Sequence, residues 1–182
     1  CFRNNKISSN GNLKSFGHYK NLTGFKGNVI CGNINNKDDL KELDNFKFDF
    51  IFHNAAISDT REYDQELVMQ TNVNSFYDLL KIANKNNAIL VYASSAATYG
   101  SLPSPQTVGK EGPENPYGFS KYLMDQIAEN YSLDFPKMNI IGLRFFNVYG
   151  RREFFKAKTS SMVIQLAHQI LDGNSPRLFH NS

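Results

Sequence analysis

Tyr117 and Lys121 stand four residues apart in Asn-Pro-Tyr-Gly-Phe-Ser-Lys-Tyr, residues 115–122. On a helix that step rises about 6 Å and returns to nearly the same face, so the ammonium would sit one turn behind the phenol. A cation there stabilises the phenolate and lowers a pKa that starts at about 10, and a phenol so tuned can take the proton of a hydroxyl. Spacing alone does not license this chemistry. A chain with 9 tyrosines and more lysines supplies roughly one such pair by chance, and Tyr77 with Lys81 is a second.

The surroundings separate the two pairs. Tyr77 falls in mid-helix beside Leu79 and Leu80, where a tyrosine rims the core while Lys81 reaches water. Tyr117 falls in the first turn of a helix with Asn115 as N-cap and Pro116 at its first position. That helix follows a Pro/Gly-rich surface loop, Gly100 to Pro116, which itself follows Ser94-Ser95. Phenol and hydroxyls can therefore face one cleft, with Ser95 bonded to the same substrate oxygen.

The elements that must position these groups alternate along the chain. Four apolar runs read as strands buried on both faces: Asn28 to Cys31, Phe48 to His53, Ala88 to Ala93 and Met138 to Phe146. Between them lie helical patterns: Asn36 to Phe46 with Leu40 and Leu43 inside, a stripe of Phe76, Leu79, Leu80 and Ala83, and Asn115 onward through Leu123, Ile127 and Tyr131. A last helix, about Ser160 to Leu171, ends at Asp172-Gly173. Alternation of this kind means right-handed crossovers and an α/β fold, a Rossmann-like doubly wound parallel sheet. Ligands of such sheets sit beyond the carboxyl ends of the strands. Those ends read His53-Asn54-Ala55-Ala56, Ala93-Ser94-Ser95-Ala96-Ala97-Thr98-Tyr99-Gly100 and Phe145-Phe146-Asn147-Val148-Tyr149-Gly150.

With 182 residues, 41% of them hydrophobic, the chain can bury a core of one domain and part of another. It opens on Cys1 and reads as part of a longer protein. The net charge of +3 is modest and no basic run exceeds two residues, which excludes a nucleic-acid binder. No apolar run is long enough to span a bilayer. Cys1 and Cys31 have neither disulfide nor metal spacing, which fits a reducing cytoplasm, and the four histidines are too scattered for a metal site.

Ser95, Tyr117 and Lys121, set in YASSAATYG and NPYGFSK, resemble the Ser/Tyr/Lys triad of the extended short-chain dehydrogenases/reductases that act on nucleotide sugars. The resemblance runs through LRFFNVYG and covers almost the whole chain. FHNAAISDT, YASSAATYG, LRFFNVYGRRE and SPRLF are most similar to the ADP-glyceromanno-heptose 6-epimerase branch of that family, which serves lipopolysaccharide synthesis. The resemblance implies a nucleotide-sugar epimerase that oxidises one sugar carbon and returns hydride to its other face, with NADP as cofactor and NAD possible. Its substrate would be ADP-heptose and its form a homo-oligomer.

By position, the resemblance assigns Asn54, Ala55, Ala56, Ile57 and Ser58 to the cofactor-lining turn, with Asn72 supporting the bound dinucleotide from the next helix. Asn33 and Ile34 would meet the adenine, with Asn33 where the family has Asp. Lys121 would also bind the nicotinamide ribose, and Val148 would touch the cofactor. Asn147, Lys158, Gln165 and Phe179 fall to the substrate. Lys156 would be a second acid/base facing Tyr117 and touching the cofactor, with Lys158 its rival. Arg151 replaces the family's Pro. Arg3, Lys6 and Lys20 are basic candidates for a ribose phosphate, or ordinary solvated charges. The family's glycine-rich first turn is not in the sequence. Residues 1–152 are thus expected to form a truncated dinucleotide-binding domain and 153–182 the start of a substrate domain. Two alternatives stay open: a UDP- or dTDP-sugar 4-epimerase or dehydratase, and a non-catalytic dinucleotide-binding protein. Ala96 and Ala97, where dehydratases carry Asp-Glu, argue against dehydration.

Overall fold

Apolar side chains spaced three and four apart drive the helices, and short aliphatic and aromatic runs between them drive the strands. The computed structural model describes residues 22–151, 153 and 160–178, and the backbone alone of residues 6–7 and 13–14. The chain divides into two units, one comprising Val29–Phe146 and the other Lys6–Asn28 with Asn147–Ser182.

In the second unit β1 (Lys6–Ile7) pairs antiparallel with β2 (Leu13–Lys14). The first unit opens with α1 (Lys37–Lys41), where the Asn36 side chain accepts from the Asp38 N–H, and one 3-10 turn, Glu42–Asn45, continues it. Leu40 is buried against Ile34 and Leu79, and Leu43 packs beside them, as the periodicity predicts. A parallel sheet follows, with β3 (Phe50–His53), β4 (Ile89–Ser95) and β5 (Ile140–Phe145) in that spatial order. Its register sets Ser94 beside Arg144 and Ser95 beside Phe145, so the tips of β4 and β5 lie together.

The crossover from β3 to β4 begins with α2 (Gln65–Val68), whose N-cap Asp64 accepts from the Leu67 N–H. It passes through a π-helical segment, Met69–Asn74, into α3 (Ser75–Asn86). Phe76, Leu79, Leu80 and Ala83 are the buried face of α3. Phe76 and Leu80 are fully enclosed, which is worth about 2–3 kcal/mol each. The crossover from β4 to β5 carries α4 (Pro116–Asp134), capped by the Asn115 side chain at 2.8 Å from the Gly118 N–H. Met124 and Ala128 of α4 meet Phe76, Leu80, Leu90 and Tyr92 in one core.

In the second unit α5 (Met162–Leu171) is capped by Ser161, whose side chain accepts from the Ile164 N–H. Gly173 just beyond it has φ +76°, a left-handed conformation that suits glycine at a helix end. Among the described residues no helix is long and apolar enough to cross a membrane.

Two expectations need correction. Asn28 to Cys31 is not a strand: it makes no continuous ladder, and only Gly32, just past it, forms a single bridge. An apolar run becomes a strand only where a neighbour pairs with it residue by residue. The strands are also not buried on both faces. The face of Leu90 and Tyr92 is covered by α3 and α4, whereas Phe50 and Phe52 on the opposite face are 56% and 69% exposed. Ile141, Leu143 and Phe145 are exposed on β5 as well. Helices α3 and α4 pack on one side of the sheet, and hydropathy alone cannot report which side that is.

Candidate active site at the tip of β4

Helix α4 can reach the strand tip because Gly118 has no side chain. A Cβ there would meet the Ala97 carbonyl oxygen at 2.5 Å, so the first turn of α4 rests directly on the turn after Ser95. Ser95 shapes that turn from its other side. Its hydroxyl accepts from the Ala97 N–H at 3.1 Å, and its carbonyl accepts from the Thr98 hydroxyl at 2.8 Å. Tyr117, the residue before Gly118, is half-buried at this junction.

Lys121 lies one turn deeper and is only 2% exposed. Its ammonium donates to the Ala93 carbonyl at 2.7 Å and points another N–H at the Met124 sulfur, 3.7 Å away. An ammonium has three donors, so a third remains. Its Nζ lies 6.0 Å from the centre of the Tyr117 ring. Burial pulls the Lys121 pKa down to about 8, and the charge of Asp125 opposes that fall.

The cofactor-lining turn assigned by resemblance sits at the end of β3 and is held by a single side chain. Asn72 accepts from the Ile57 N–H at 2.8 Å and donates to the Ile57 carbonyl at 3.0 Å. It also donates to the Ser120 hydroxyl at 2.9 Å, and Ser120 donates in turn to the Tyr117 carbonyl at 2.7 Å. One buried amide thus ties the turn of Asn54, Ala55, Ala56, Ile57 and Ser58 to the helix that carries Tyr117. Asn72 belongs to the π-helical segment, a local widening that recurs at functional sites. His53, just before the turn, is buried and stacked on Phe76 with centroids 5.8 Å apart. Burial first, and then the Lys121 charge, lower its pKa to about 3, so its imidazole is neutral.

Asn33 and Ile34 have other partners as well. The Asn33 N–H donates to Asp39 at 2.6 Å, and Ile34 is buried with Leu40 and Leu79. Asn147, Val148 and Gln165 belong to the second unit, where Val148 is exposed and the Gln165 amide donates to the Ser160 carbonyl. In that unit Glu153 accepts from the N–H groups of both Gly150 and Ser161, joining the motif LRFFNVYGRRE to the start of α5. Lys156, Lys158, Phe179, Arg3 and Lys20 lie outside the described residues, as does the side chain of Lys6.

Four residues of this region were missed in the sequence: Ser120, Glu111, Asp125 and Arg144. Asp125 accepts from Tyr92 at 2.8 Å, Ser94 at 3.0 Å and Arg144 at 2.9 Å. Arg144 also pairs with Glu111 at 2.7 Å and stacks over Tyr99. A legible signal existed for Arg144, because a lone arginine inside an apolar strand run must find a carboxylate. Ser120 gave none.

The donor set suits a nicotinamide dinucleotide: a turn of small side chains at a strand end, and beside it a buried ammonium with a donor to spare. The comparisons agree. A 52% identical crystal structure, the ADP-L-glycero-D-manno-heptose-6-epimerase of Helicobacter pylori, superposes with a TM-score of 0.80 over 86% of this chain. The chain spans 50% of that protein's length. The UDP-glucose 4-epimerase of Bifidobacterium longum, solved with NAD+ and UDP, matches at 25% identity and a TM-score of 0.63, over 74% of this chain and 42% of its own. The UDP-Glc/GlcNAc 4-epimerase of Campylobacter jejuni shares the fold at 23% identity and a TM-score of 0.65, over 82% of this chain and 50% of its own. The model of the NAD dependent epimerase/dehydratase family matches residues 4–182, and this chain therefore belongs to that family.

Proposed function

We propose that the protein of which this chain is part is a nucleotide-sugar epimerase acting on an ADP-linked heptose, inverting one sugar carbon by transient oxidation and re-reduction. The observation that carries the reaction type is the buried Lys121 ammonium, pinned to Ala93 and set one turn behind Tyr117. The 52% identity to a heptose epimerase supports the sugar.

In this reading the Tyr117 phenolate takes the substrate hydroxyl proton, while the Ser95 hydroxyl donates to the same oxygen. Lys121 keeps the phenolate stable and offers its remaining N–H to the ribose of the cofactor. The bound dinucleotide supplies the hydride acceptor and then the donor. The turn from Asn54 to Ser58, held by Asn72, shapes the wall against which it lies. Asn33 and Ile34 would border the adenine and Val148 the cofactor, while Asn147 and Gln165 would bind the substrate. Lys156 would serve as the second acid/base, with Lys158 beside it and Phe179 stacked near the nucleotide. Ala96 and Ala97 form the turn under Gly118 and bring no carboxylate to it, which speaks against dehydration.

The preferred cofactor would be NADP, the compartment the cytoplasm, the assembly a homo-oligomer and the role lipopolysaccharide synthesis. Residues 1–152 would hold the cofactor and 153–182 begin the substrate domain. The test incubates the full-length protein with ADP-heptose and follows it by proton NMR without added reductant. Inversion at one carbon is expected. Inversion of a UDP-hexose with ADP-heptose untouched would replace the substrate, and no inversion of either would remove the reading.

A further inference from the structure

Two successive turns of α4 are fastened to the tip of β4. Lys121 binds the Ala93 carbonyl, and four residues later Asp125 binds Tyr92 and Ser94 of the same strand. The second fastening continues outward through buried charges. Asp125 holds Arg144 of β5 at 2.9 Å, and Arg144 holds Glu111 of the loop before α4 at 2.7 Å. The three side chains are at most 14% exposed. A carboxylate so enclosed is costly unless donors replace the water it loses, and Asp125 receives three. Gly142 on β5 leaves the space that the Tyr92 ring occupies to reach it.

We propose that Asp125 is a positioning residue for the Tyr117/Lys121 pair: through Tyr92 and Ser94 it locks α4 against β4, with Arg144 of β5 and Glu111 bracing it from behind, and it supplies a negative charge that acts on the Lys121 ammonium one turn away. This rests on the epimerase reading for its catalytic consequence, but not for its physical content.

Among the described residues, the charged and titratable groups on the elements packed around Lys121 are few. On α4 they are Tyr117 and Asp125. Neutral His53 lies on β3, Tyr92 on β4, and Arg144 on β5 with Glu111 behind it. The π-helical segment packed on α4 has no ionisable side chain, and Glu66 of α2 is exposed. Asp125 is the group whose charge acts to hold the Lys121 proton. Its removal lets the proton leave at lower pH, because the ammonium keeps its burial and loses its counter-charge.

The experiment follows the Nζ resonance of Lys121 by lysine-labelled NMR in the full-length protein across pH 6–10, about two units either side of its pKa. Assignment comes from Lys121→Met. In Asp125→Asn the titration midpoint should fall by about one unit, the scale of a lost neighbouring carboxylate. Asp125→Glu should restore most of it. Glu111→Gln leaves α4 intact and should move the midpoint the same way by less, since Arg144 is then less compensated; it serves as the test if Asp125→Asn does not fold. In turnover, the alkaline limb of kcat should move with the midpoint while KM changes little. An unmoved or raised midpoint in the folded variants would overturn the proposal. Midpoints that move as expected without any epimerase activity would leave this inference standing and remove the proposed function instead.

Discussion

Tyr117 with Lys121 and Tyr77 with Lys81 have the same spacing on helices that cross to the same face of the same sheet, yet they are opposites. Lys121 is almost wholly buried, bound to the β4 backbone and lowered in pKa to about 8. The Lys81 side chain is 69% exposed and reaches its neighbour Asp78 at 3.4 Å, an ion pair of little worth in water. The difference lies in which face of each helix meets the sheet. In α3 the buried stripe is Phe76, Leu79, Leu80 and Ala83, so Tyr77 and Lys81 look away. In α4 Lys121 is itself part of the buried face, alongside Gly118, Met124 and Ala128. A four-residue step reports that two side chains share a face; only the packing says what that face touches.

The sharpest way to break this contrast is at the phenols. In the full-length protein Tyr117→Phe should lower turnover by about 10²–10⁴, the usual contribution of a positioned acid/base, while cofactor affinity holds. Tyr77→Phe should leave kcat within about twofold. Equal effects, measured side by side, would erase the distinction.

The lysines differ next, and in stability rather than rate. Lys121 has a folded pKa of about 8 against an ordinary 10.5. Between those values the unfolded chain holds a proton that the folded chain has released, so stability rises with pH across that window. The rise attributable to Lys121 is at most about 3 kcal/mol. Urea unfolding at pH 7.5 and pH 10 should show it in the parent and in Lys81→Met, and show it reduced in Lys121→Met. Parallel behaviour of the two variants would mean that burial does not lower the Lys121 pKa in the folded protein.

The smallest effect concerns the residue after each tyrosine. Gly118→Ala puts a methyl group against the Ala97 carbonyl, so the first turn of α4 must lift away from Ser95, at a cost of about 1–2 kcal/mol. A tenfold or greater drop in kcat should accompany it, because Tyr117 moves with that turn. Asp78→Ala, the matching change in α3, touches an ion pair on the surface and should alter the melting temperature by no more than about a degree or two. If Gly118→Ala were equally silent, the close approach would not be what aligns Tyr117 with Ser95.

The sequence by itself determined the local features of this protein, because those depend on neighbours along the chain. The N-cap at Asn115 with Pro116 behind it, the stripe from Phe76 to Ala83 and the stop at Asp172-Gly173 each follow from spacing within one or two turns. The motifs around Ser95, Tyr117 and Lys121 likewise named the family. Tertiary structure alone decided what depends on partners distant in sequence. It left Asn28 to Cys31 without a ladder and left Phe50 and Phe52 on an uncovered face. It turned Asn72 into a clamp 15 residues from Ile57 and 48 from Ser120, and it joined Asp125 to Ser94 across 31 residues. A buried polar group must find its hydrogen bonds wherever the fold brings donors and acceptors together, and no local pattern records where that will be.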